Sequence, residues 1–194
     1  MIENHWTENI IIADADYVDK VAFDLIVNFE RMIGRRIPQA DMARWMECIA
    51  LDGGLREGEH EIHTVLVHDH QKLQMENFKP SDYAKELSGQ AFRSPLGEFT
   101  MAAITDEGLA TKESLFLDTL QFIASQKEVN RLMVIPDEHI YNKVREALAK
   151  ADPDKHITVF SMQPMQGGNF RQEILGYSLM AALGIRSEEL NVMS

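Results

Sequence analysis

The chain holds a single cysteine, Cys48, so no internal disulfide framework can form and a reducing compartment is the matching environment. Long apolar runs are missing as well. The longest, Asn9-Ile10-Ile11-Ile12-Ala13 and Leu132-Met133-Val134-Ile135, fall far short of the roughly 20 residues that a membrane-crossing helix needs. Positive charge is scarce: 19 Lys and Arg stand against 31 Asp and Glu, a net charge of -12. Such a balance repels polyanions such as RNA unless a local basic patch or a bound cation compensates. The opening residues, Met1-Ile2-Glu3-Asn4-His5-Trp6, lack the basic start and apolar stretch of a secretory signal, and a cytoplasmic location is the expectation. No Walker or dinucleotide-binding fingerprint and no internal repeat occurs.

What is present is the composition of an ordinary globular domain. With 194 residues, 45% of them hydrophobic and 26% charged, the chain is long enough for one sizeable core and too balanced for disorder. Asn9 to Ala13 runs without alternation and reads as a fully buried strand. From Tyr17 to Gly34, apolar residues three and four apart trace one helical face, closed by a glycine stop. Pro38 is expected to open a second helix that ends at Gly53-Gly54. Strands follow at Ile62 to Val67, Phe99 to Ile104, Arg131 to Ile135 and Ile157 to Phe160, with helices at Glu113 to Ala124, Glu138 to Lys150 and Gly168 to Leu183. This alternation predicts an α/β three-layer sandwich with a mainly parallel five-stranded sheet. Residues 1–185 form one domain with an insertion at 68–97, where only a short helix near Ser81 to Leu87 is expected, and residues 186–194 are a polar tail.

In such sheets ligands gather at the carboxyl ends of the strands. Four of the five strand ends carry acids: Asp14-Ala15-Asp16, His68-Asp69-His70, Thr105-Asp106-Glu107 and Pro136-Asp137-Glu138. Brought to one rim, clustered carboxylates repel unless a cation is bound, and Mg²⁺ or Mn²⁺ suits oxygen ligands of this kind. Capping of the following helices is the competing role. Asp118 sits among Leu115, Phe116, Leu117 and Leu120, where a carboxylate needs a partner, a metal or water. His68 and His70 share one side of an extended segment, but no second pair at zinc spacing supports them, and they read as surface or supporting residues. Cys48 reads as a small core residue. Arg31, Arg35 and Arg36 are the only local concentration of positive charge.

The order of elements and acids resembles the PIN-like nuclease superfamily, particularly its NYN branch. The resemblance spans Ile10 to Phe160 and rests on Ile10-Ile11-Ile12-Ala13-Asp14, on Thr111-Lys112-Glu113-Ser114-Leu115-Phe116-Leu117-Asp118 and on Leu132-Met133-Val134-Ile135-Pro136-Asp137. It implies a Rossmann-like topology, with Asp14, Asp118 and Asp137 as metal-binding catalytic acids and Glu113 as a fourth ligand. In that family the acids hold Mg²⁺ or Mn²⁺ for hydrolysis of an RNA phosphodiester. The turn after the fourth strand departs from the family's Ser-Gly-Asp-x-Asp, reading Ile135-Pro136-Asp137-Glu138-His139, and the usual Asn after the first acid is missing; these losses allow a related fold without nuclease activity. Two alternatives stay open. Ile11-Ile12-Ala13-Asp14-Ala15-Asp16 is similar to the first motif of haloacid-dehalogenase phosphatases, implying Asp14 as nucleophile and Asp16 as general acid, with Thr105, Lys112 and Asp137 in later motifs. A non-catalytic domain binding a protein partner or a second copy, through the Met-rich second helix or the apolar last one, is the other.

Overall fold

The computed structural model describes residues 6–191. The first five residues, part of the segment on which the reading of the N-terminus rests, and the last three of the polar tail lie outside it. Strand β1 (Asn9–Asp14) is buried at every position, and its side chains alternate between two cores. Ile11 and Ala13 enter one, Ile10 and Ile12 the other. Each of the three isoleucines is fully buried, contributing about 1.5–3 kcal/mol relative to exposure. Helix α1 (Ala15–Ile33) follows without a loop, because the Asp14 carboxylate accepts a hydrogen bond from Tyr17 N and caps it. Its Val18, Val21 and Ala22 pack into the core that Ile11 enters.

The main sheet has seven strands, in the order β5-β6-β3-β1-β7-β8-β9, so the expectation of five is corrected. Strands β3 (His60–His68), β6 (Gly97–Thr105), β7 (Arg131–Ile135), β8 (His156–Ser161) and β9 (Arg171–Ile174) run parallel with β1. Strand β5 (Ala91–Ser94) alone is antiparallel, turning into β6 and stacking Phe92 on Phe99 with centroids 4.7 Å apart. The two extra strands are four-residue edges. Ala91-Phe92-Arg93-Ser94 has one large apolar residue, and Arg171-Gln172-Glu173-Ile174 favours helix by composition, so pairing with a neighbour decides both.

Helices α2 (Met42–Asp52) and α5 (Leu175–Ala182) lie with α1 on one face, while α3 (Lys112–Ala124) and α4 (Tyr141–Leu148) cover the other. Helix α2 starts four residues after Pro38, at the Asp41 cap, because Ala40–Asp41 (β2) pairs in parallel with Phe78–Lys79 (β4). The expected last helix is split: β9 comes first, and α5 begins at Leu175. The segment between β3 and β6 folds over the α1 face, with Met75, Phe78, Tyr83 and Leu87 in the core and one turn of π-helix at Tyr83–Leu87. Asp19 of α1 fastens it by accepting from the amides of Glu76 and Asn77. The tail carries a short helix, α6 (Ser187–Asn191), and the expected basic cluster meets it where Arg35 pairs with Glu189 at 2.9 Å.

Gly97 starts β6 at φ +127°, and a Cβ there would sit 2.0 Å from the His60 carbonyl oxygen of β3. Gly97→Ala is therefore expected to destabilise the protein by about 1–3 kcal/mol from backbone strain alone, with the clash added. In contrast Leu109→Ala, at a side chain 91% exposed, should stay within about 0.5 kcal/mol of wild type; urea unfolding of both variants checks the pair.

Candidate functional site

The strand register sets the carboxyl ends of the central strands level: Ala13 pairs with Ile135, Asp14 with Val67, and His68 with Thr105. Strand order reverses between β1 and β7, the place where doubly wound sheets open a crevice. Asp14 ends β1 there, 4% exposed. Its Oδ1 accepts from Tyr17 N and from Lys112 Nζ, each at 3.1 Å. Asp16, in the first turn of α1, accepts from the same Nζ at 3.1 Å and from the Asp69 amide at 2.8 Å through Oδ2. One ammonium thus bridges two carboxylates.

Lys112 is the first residue of α3, capped by Thr111. A cation at a helix N-terminus opposes the dipole by about 0.3–1 kcal/mol, so the acids, and not its own helix, hold it there. Burial pushes the Asp14 carboxyl above its ordinary range, and Lys112 and the Tyr17 amide only partly offset this. Burial also works against the Lys112 charge, but Asp14 and Asp16 outweigh it and keep the ammonium protonated. The Tyr17 hydroxyl is pushed far up by burial and by Glu138, Asp137 and Asp14, which leaves it a proton donor.

Asp137, just past β7, stands at the other side of the crevice. Its Oδ1 meets His139 Nδ1 at 2.8 Å, and His139 Nε2 lies 3.5 Å from Glu113, which pairs in turn with Lys143. Burial would raise Asp137, but the bonds to His139 and the field of Lys112 hold it below its ordinary value. The bond to Asp137 is the main reason His139 is held above its own. Glu113 is lowered chiefly by Lys143. Asp14 and Asp137 therefore flank the reversal point, while Glu113 is engaged by His139 and Lys143. Asp118 does not join them: it is exposed, six residues beyond Lys112 on α3, or about 9 Å further along the helix axis. Thr105 ends β6, on the far side of β3 from Asp14, and donates to Asp106.

Sequence reasoning missed two features. The first is that Lys112 and His139 supply the positive charge between the acids. The second is a group at the ends of β3 and β6, where Asp69, His70 and Asp106 bring one ligand atom each to within 4.8 Å of one another. His70 Nδ1 lies 3.3 Å from Asp106. The signal was the pairing of two acid-bearing strand ends, visible only once β3 and β6 are known to be neighbours. Among the described residues this half-buried trio is the group of three whose ligand atoms lie close enough to share a hard cation, and Asp14, Asp16 and Asp137 do not form another. A cleft of about 670 Å³ opens beside Asp16, between α1 and the 71–82 segment, with Lys20, Phe23, Lys72 and Leu73 among its walls.

Lys112→Met removes one partner of a largely buried cluster. The expected cost at pH 7 is about 1–3 kcal/mol, below the roughly 3–5 of a fully buried pair because Lys112 keeps a quarter of its exposure. With its folded pKa raised, Asp14 supports folding below its ordinary value of 3.8 and loses that contribution as pH rises through the folded value. Loss of Lys112 enlarges that penalty, so the gap between variant and wild type should shrink on acidification toward pH 4. Urea midpoints across pH 4 to 8 measure it, and a gap that does not depend on pH would contradict the assignment.

No curated protein and no solved structure matches this chain. A family defined on sequence alone does match, over residues 3–190, and the chain belongs to that family of unknown function, DUF6621.

Proposed function

We propose that this protein is a PIN/NYN-like hydrolase of phosphate diesters, centred on Asp14, Asp16, Lys112 and Asp137, with single-stranded RNA as the substrate class. The observation that carries this reading is the Lys112 ammonium 3.1 Å from both Asp14 and Asp16 at the reversal point of the sheet. Such a cation can turn from a carboxylate to a phosphate oxygen and stabilise charge that develops there. Asp14, whose raised pKa brings it nearer neutrality, is suited to take a proton from an attacking water. The Tyr17 hydroxyl, kept protonated and bonded to Glu138, can turn its hydrogen bond to the same phosphate.

Asp14 and Asp137 also offer the hard oxygen donors that Mg²⁺ or Mn²⁺ takes. Oδ2 of Asp14 and Oδ2 of Asp137 accept no hydrogen bond from the described residues, so both oxygens are free to take a hard ion while Lys112 keeps its contacts. When bound, such an ion polarises water and the phosphoryl group. The cleft beside Asp16 supplies an approach for a strand. Phe23 is 53% exposed there for base stacking, and Lys20 and Lys72 offer backbone contacts. Of the acids on its walls, Asp19 through both oxygens and Asp82 through Oδ1 accept from backbone amides. The net charge of -12 still works against a long polyanion, which favours short or unstructured RNA.

A phosphate monoesterase of the haloacid-dehalogenase kind is the second reading, favoured by the shared contact of Asp14 and Asp16 with Lys112. Against it, α1 begins at Ala15 with no flap between, and Thr105 lies beyond β3.

The test pairs a labelled single-stranded RNA with p-nitrophenyl phosphate, each with Mn²⁺, Mg²⁺ or a chelator. RNA cleavage that needs the metal and falls about 100-fold or more in Asp14→Asn is the expected result. Hydrolysis of the monoester alone would replace the first reading with the second. Absence of both activities in folded protein, or cleavage indifferent to Asp14→Asn, would overturn the hydrolase reading and leave an interaction domain.

A further inference from the structure

At the opposite edge of the sheet, where β7, β8 and β9 begin, lies a cavity of about 180 Å³ lined in part by Gly53, Arg131, His156, Thr158 and Arg171. Strand register builds it. Arg131 pairs with His156 and Thr158 with Arg171, so in parallel strands these four side chains emerge on one face. That face meets the Gly53-Gly54 end of α2. A Cβ at Gly54 would lie 2.6 Å from Arg131 Nη1 and 3.7 Å from Arg171 Nη1. The two guanidinium nitrogens therefore approach to within about 6 Å of each other, close enough to repel. Only a glycine leaves room for them, and its φ of +100° is one that other residues rarely adopt.

Only part of their charge is balanced by a carboxylate. Arg171 pairs with Glu173 at 2.7 Å. Arg131 donates to the Gly53 carbonyl at 2.6 Å and has no carboxylate partner among the described residues. Burial and the nearby charges of Arg171 and Arg56 depress its pKa, the mark of a cation held among cations. Asp152 stands on the cavity wall, and Asp52 is near enough to Arg171 and Glu173 to feel both. A second observation is independent of charge. Thr158 is 2% exposed and lines the cavity, which puts a hydroxyl-bearing side chain on its wall.

We infer that this cavity is an anion site for a phosphate-class oxyanion, either inorganic phosphate or the phosphate of a small ester. Arg131 and Arg171 supply the charge and the forked donors, and Thr158 a hydroxyl. The volume is below the roughly 300–1,000 Å³ of sites for larger organic ligands, so a nucleotide is too big to be enclosed. The site sits at the amino ends of the strands, away from Asp14, and does not depend on the hydrolase reading. Its occupant clamps β9 to β7 across β8, tying down an edge strand that is only four residues long.

Binding of inorganic phosphate and of glycerol phosphate is measured by calorimetry and thermal unfolding, against chloride at equal ionic strength. Saturable binding at one site with a raised unfolding temperature is expected, weakened about tenfold or more in Arg131→Met and partly kept in Arg131→Lys. Thr158→Val, which preserves shape, should weaken binding as well and serves if Arg131→Met fails to fold. Tighter binding of the ester identifies an organic phosphate as the ligand, and the reverse identifies phosphate itself. No effect beyond that of chloride, or binding unchanged in both the Arg131 and Thr158 variants, would overturn the assignment.

Discussion

Two carboxylates at the end of a fully buried central strand cannot stay charged beside each other without a cation, and here the cation is the Lys112 ammonium. Three segments meet at that contact: the end of β1, the first turn of α1 and the first turn of α3. The contact also links the central strand to its neighbour, since Asp16 holds the Asp69 amide at the end of β3. Burial pushes the Asp14 carboxyl above its ordinary range. Lys112 limits that tendency, and Asp14 and Asp16 in turn keep Lys112 charged at the wrong end of a helix dipole. Each partner is tolerable there only because the other is present.

The same device recurs around the rim. His139 spans Asp137 and Glu113, Lys143 holds Glu113, and His70 stands between Asp69 and Asp106. The acidic rim is thus interleaved with basic side chains drawn from the following elements. Charge compensation by the protein itself and by a bound ion are not exclusive, since Asp14 and Asp137 each retain an oxygen outside these bonds. The opposite edge has the inverse arrangement, with Arg131 and Arg171 brought together in a chain that is otherwise short of positive charge.

The sheet's centre was legible because its strands are apolar on both faces. Strand β7 falls at Arg131 to Ile135 as its sequence predicts, and β1 extends the expected run by one residue, to Asp14. Edges were not: β5 and β9 carry too little apolar surface to announce themselves, and the start of α2 depends on a pairing between Ala40 and Phe78, 38 residues apart. For the site, the rule that ligands gather at strand ends pointed to Asp14 and Asp137. Lys112 was visible as a motif residue, but its bridging role needed the position of α3 relative to β1. Asp118 lies beside the apolar stripe of α3, yet its side chain faces solvent, a distinction of a few tens of degrees on a helix that hydropathy spacing cannot draw. The arginine pair was invisible for a simpler reason: Arg131 and Arg171 come from separate segments, and only strand register unites them.

The central claim is that Lys112 sets the charge of Asp14 in a buried crevice. Carboxyl carbon NMR of Asp14, followed through a pH titration in wild type and in Lys112→Met, tests it most directly. Titration above the ordinary value of 3.8 in wild type, and higher still without Lys112, is the predicted result. A wild-type value at or below 3.8, or one that the substitution leaves unmoved, would contradict it.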